Sequence, residues 1–142
     1  MTFRITDQVI GSQAIADTST TQKHPLGTIV RAVDPTYGEG EFIYLSGVAS
    51  TAVGSWVTVH EDGFTTTLLA ANDIGRTAVS MSVNVASQYG WYQISGKAVG
   101  KALASYADNA LVYATATAGR SHHRGGASRR VEKATRPCAA VH

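Results

Sequence analysis

Five histidines are the first side chains in this sequence that could do chemistry. His24 and His60 stand alone, His122 and His123 are adjacent, and His142 is terminal. Neighbours in an extended chain point to opposite sides, and no cysteine or acid stands at ligand spacing beside the pair. A metal site is therefore not expected. Glu39 and Glu41 flank Gly40 and could form a carboxylate pair for acid–base work, but in a glycine-rich turn solvated charge is the ordinary outcome. Gly38-x-Gly40 lacks the third glycine and the following helix of a dinucleotide loop. Serine and threonine are plentiful, yet there is no Gly-x-Ser-x-Gly elbow and no His–Asp partnership to activate a nucleophile. Cys138, the single cysteine, lies in a Pro- and Ala-rich tail, a poor setting for a thiolate. No catalytic, cofactor-binding or metal-ligating residue is assigned, and the chain is not expected to be an enzyme.

Phosphate contact is the remaining chemistry. Residues 1–119 carry six basic and nine acidic side chains, whereas residues 120–142 carry six basic and one acidic. Arg124, Arg129 and Arg130 could give salt-sensitive contact to nucleic acid. No aromatic residue is interleaved with them for base stacking, so nucleic acid is not an expected partner beyond phosphate contact through this tail. The change at Gly119 from small-residue strand pattern to Arg/His/Gly-rich sequence is abrupt, as an altered reading frame would be.

The elements around these residues are β-strands. Of the 142 residues 44% are hydrophobic and 15% charged, with 14 glycines, and Glu, Lys and Leu are scarce; this mixture favours short strands and turns over helices. No apolar run reaches the length of a membrane span. The start, MTFRITDQVIGSQ, lacks a basic end followed by an apolar block, so no secretory signal is expected, and one cysteine fits folding in a reducing cytoplasm. Residues 26–33, 41–47, 55–60, 64–69 and 77–85 read as strands, the last with apolar and polar residues in alternation, with turns at Asp34–Gly38 and at Asn72–Gly75. Glu61-Asp62-Gly63 is the clearest hairpin signal. In 77–85, Val79, Met81, Val83 and Val85 should face inward, and Ser80, Ser82 and Asn84 water or a partner.

Gln88–Gly119 organises the rest, opening on Tyr89-Gly90-Trp91-Tyr92-Gln93-Ile94 and continuing to a second short strand at 111–115. Trp91 and Ile94 cannot share one face of a flat strand, which requires a bulge or a sheet covered on both faces. Trp91, Ile94, Val112 and Tyr113 are the candidate core. Residues 97–108 fit a strand or a short helix equally. The expected fold is all-β: a small single-domain barrel or sandwich of about seven or eight short strands spanning 25–119. An extended arm over 1–24 precedes it, and an irregular basic tail over 120–142 follows. The arm has few large apolar groups, which suggests a frayed terminus or a segment that orders on a neighbouring subunit.

YGWYQISGKA at 89–98, ADNALVYATATAG at 107–119 and GEGEFIYLSGVA at 38–49 resemble the capsid decoration, or cement, proteins of tailed bacteriophages. The likeness spans roughly residues 25–119, and the tail after Gly119 departs from it. It implies a β-rich virion protein, made in the host cytoplasm and often homotrimeric, that sits on the capsid surface and clamps neighbouring major capsid protein subunits. Phe3, Ile5, Val9, Ile10, Tyr37, Tyr89 and Tyr92 are the candidate interface. No membrane partner is expected. A second reading is a tail or fibre module that binds a host glycan, with Trp56, Tyr89, Trp91 and Tyr92 as stacking rings. Burial separates the two, because a glycan binder should display at least two of these rings together.

Overall fold

The computed structural model describes residues 4–6, 13–103 and 113–122. Its elements are all strands: β1 Arg4–Ile5, β2 Thr18–Ser19, β3 Ile29–Asp34, β4 Gly38–Ser46, β5 Trp56–His60, β6 Thr65–Leu68, β7 Arg76–Ser80, β8 Tyr89–Gly96, β9 Tyr113–Ala114 and β10 Ser121–His122. Eight of them form one antiparallel sheet in the order β1-β3-β4-β8-β7-β5-β6, with β2 added to β8, and β9 pairs β10. The expected all-β class is what the chain adopts. Among the described residues there is no helix long and apolar enough to cross a membrane.

Turn chemistry sets the hairpins. Asp34 accepts the backbone N–H groups of Thr36 (2.7 Å) and Tyr37 (3.1 Å) on Oδ1, and Gly38 at φ +77° returns the chain so that Asp34 pairs with Gly38. Glu61–Phe64 closes the β5–β6 hairpin, with His60 opposite Thr65. The sheet curls until β6 meets the end of β4, where Thr66 Oγ1 donates to the Ser46 carbonyl (2.9 Å) and Ser46 N–H to the Phe64 carbonyl (3.4 Å). No ladder forms there, so the sheet approaches a barrel without closing.

Both faces of β4 and β8 are covered. Phe42, Tyr44 and Trp91 join Ile15, Val30, Ala32 and Met81 on one face, while Ile43, Leu45, Tyr92 and Ile94 join Val57, Val59 and Ala78 on the other. The bulge lies opposite Glu41/Phe42, where the register passes from Gln93 to Ser95 and leaves Ile94 as the extra residue. A third cluster of Trp56, Leu69, Val79, Ala98 and Ala114 backs β5 and β7. Each large side chain removed from water in these layers contributes roughly 1.5–3 kcal/mol.

Several expectations are corrected. Residues 13–24 are not a loose arm: Gln13, Ile15 and His24 are buried, and β2 pairs with β8. The basic tail does not begin at 120 either, because Ser121 is buried, its N–H donates to the Lys101 carbonyl (3.1 Å), and β10 pairs β9. β7 ends at Ser80, so the alternation expected to Val85 fails. Val83 is 55% exposed, whereas Ser80, Ser82 and Asn84 are buried. The reason is that the loop after β7 folds over Gly47 and Val48, and Asn84 carbonyl oxygen accepts Val48 N–H.

Candidate functional site

Of the candidate interface residues, Ile5 is half-buried on β1 against the first cluster, and Tyr37 lies half-buried with Lys97 Nζ 6.0 Å from its ring centre. Tyr89 is half-buried and stacks on Tyr44 at 6.3 Å. Tyr92 is a correction: it is fully buried at the heart of the second cluster, because its position on β8 puts it on the curled inner face. Of the candidate core, Trp91 is fully buried and Ile94 is 8% exposed. Tyr113 falls in β9, where its backbone alone is described. Phe3, Val9, Ile10, Val112, Arg124, Arg129 and Arg130 lie outside the described residues.

The rings considered for sugar stacking turn inward. Trp56 is 1% exposed and Trp91 and Tyr92 are 0%, which leaves Tyr89 alone with partial exposure. The indole N–H of Trp56 donates to Lys101 carbonyl (3.0 Å) and that of Trp91 to Gln13 carbonyl (2.8 Å), so both polar handles are also used internally.

Two buried polar networks lie beneath the surface. In the first, Asn84 Nδ2 reaches the Tyr92 hydroxyl (3.1 Å) and the Leu45 carbonyl (3.4 Å). Burial pushes the Tyr92 phenol above its ordinary pKa, with partial relief from hydrogen bonds to Thr66, Asn84, Thr51 and Ser80. Asn84 Oδ1 and Ser82 Oγ, both buried, accept nothing from the described residues. In the second, Tyr44 donates to Gln13 Oε1 (3.0 Å), and burial also raises its pKa, opposed by the hydrogen bond from Lys23 N–H. Sequence reading missed Gln13 and put Asn84 on the wet side of a strand, since nothing in their spacing distinguishes a buried amide from an exposed one.

Titratable groups at the surface are dispersed. His60 Nε2 lies 3.0 Å from Thr67 Oγ1, Glu41 faces Arg31 at 3.7 Å, and Glu61 lies 4.0 Å from Arg76 beside a shallow cleft rimmed by Ile74. Among the described residues no three of His, Cys, Asp and Glu come together. What the surface does carry is aliphatic: Ile29 (49% exposed), Val53 (49%), Ile74 (78%) and Val83 (55%) project from loops and strand ends. Thr65 and Thr67 are exposed on the β6 edge. Comparison with protein-family models, with curated proteins and with solved structures gave no match.

Proposed function

We propose that this chain is a structural virion protein that decorates a phage capsid and binds neighbouring major capsid protein subunits by surface contact, as a homotrimer. The observation that most favours this reading over glycan binding is the burial of Trp56, Trp91 and Tyr92. A sugar platform needs exposed rings, whereas contact with a protein shell needs a stiff body with aliphatic knobs and polar edges. Ile29, Val53, Ile74 and Val83 are such knobs. β6 is an edge strand of the main sheet, and its exposed threonines suit close backbone approach by a partner strand. Contacts repeated around a shell would add avidity to individually weak ones.

The test is co-sedimentation of the full chain with assembled capsids of the phage that encodes it, with binding to free capsid protein as the control. Saturable binding at a copy number that follows the shell symmetry, weakened by Ile74→Asp and Val83→Asp, supports the proposal. Retention on a host-glycan array with none on shells would overturn it in favour of the fibre reading.

A further inference from the structure

Residues 13–24 form a strap across the face of the sheet that carries Tyr44 and Trp91, and every polar group of Gln13 helps to tie it down. Its carbonyl accepts the Trp91 indole N–H (2.8 Å), and its side-chain oxygen accepts the Tyr44 hydroxyl (3.0 Å). Its side-chain nitrogen donates to the carbonyls of Asp17 (2.7 Å) and Tyr89 (3.2 Å). The last group, Gln13 N–H, donates to His24 Nε2 at 3.0 Å. A ring nitrogen that accepts carries a lone pair and no hydrogen, so this bond requires the neutral imidazole. The ring is 6% exposed, edge-on to Tyr44 at 5.1 Å and tilted over Trp91 at 5.5 Å.

We propose that His24 is the latch of a pH-sensitive strap, closed by the neutral ring and loosened when Nε2 takes a proton. Protonation replaces the acceptor with a second donor facing the Gln13 N–H, so the two groups repel where they had bonded. The bond's contribution is therefore present at higher pH and lost on acidification. Tyr44 on β4 and Tyr89, stacked on it from β8, are the titratable groups on the sheet side. Lys23 and Asp17 are those of the strap itself, and Gln13 engages Asp17 through its backbone carbonyl. Neither ion pair of the described residues involves His24. The Trp91 ring offers some attraction to a cation at this distance, so the result is a loosened strap rather than an unfolded sheet. The proposal is independent of the capsid role.

The two tryptophans make the test internal. Indole N–H exchange, corrected for its intrinsic pH dependence, is followed by NMR on the full chain from about pH 8 to about pH 5, the range in which imidazoles titrate. Exchange at Trp91 should accelerate about tenfold relative to Trp56, the size expected for loss of one supporting hydrogen bond, and should track the His24 ring signals. In His24→Gln the side-chain oxygen can accept the Gln13 N–H but does not titrate, so the acceleration should vanish. A Trp91 rate that does not change, one that moves together with Trp56, or one that still responds in His24→Gln would overturn the latch. Should that variant fail to fold, the wild-type comparison of the two indoles and the imidazole signals still decides.

Discussion

Replacing Gln13 by Ala tests whether the N-terminal strap belongs to the folded core. The substitution removes three side-chain hydrogen bonds, to Asp17, Tyr89 and Tyr44, at a residue only 3% exposed. The Tyr44 hydroxyl keeps the Lys23 N–H but loses its acceptor, and two carbonyls lose a donor. At a net value near 1 kcal/mol for each bond, with some added cost for stranded buried groups, the loss is about 2–4 kcal/mol. For a domain of this size that corresponds to a fall in Tm of about 6–12 °C. Urea unfolding followed by tryptophan fluorescence measures it, and an unchanged m value would show that the native fold is retained. Gln22→Ala is the control: it loses one bond, to the His24 carbonyl, and should cost less than about 1 kcal/mol. If Gln13→Ala costs no more than Gln22→Ala, the strap does not anchor the sheet and the reasoning fails.

Gly47→Ala should be among the most damaging single changes, costing upwards of about 3 kcal/mol, because an added Cβ would lie on the backbone carbonyl of Asn84 and against that of Val85. Expression yield and urea midpoint check it, and near-wild-type stability would mean that the two loops are not in contact. Tyr44 and Tyr92 have phenols raised above their ordinary pKa by burial, so each favours the protonated folded state. Their contribution is complete below the unfolded value near pH 10 and is lost as pH rises through the folded one. Absorbance titration should therefore show two tyrosines that ionise late, with alkaline unfolding as they do; full ionisation near pH 10 in the folded protein would contradict this.

Strands, hairpins and the central place of 89–96 were legible in the sequence because they depend on local rules: alternation with period two, turn residues at fixed offsets, and the bulk of Trp91. β3 to β6 and β8 fall where that pattern puts them, and the question over Trp91 and Ile94 resolves into a bulge together with two covered faces. Which faces are wet was not legible. Ser80, Ser82 and Asn84 looked like a solvent side, yet they are enclosed, because burial depends on the distant loop at Gly47 and Val48 folding over them. Tyr92 reads as readily as Tyr89 for a surface ring, and only the curl of the sheet separates them. Gln13 and His24 looked like parts of a polar terminus; their roles arise from contacts with residues up to 78 positions away. Local pattern and turn chemistry thus determined the secondary structure, while long-range curling of the sheet and the loops packed on it decided which polar groups became core and which apolar ones were left outside.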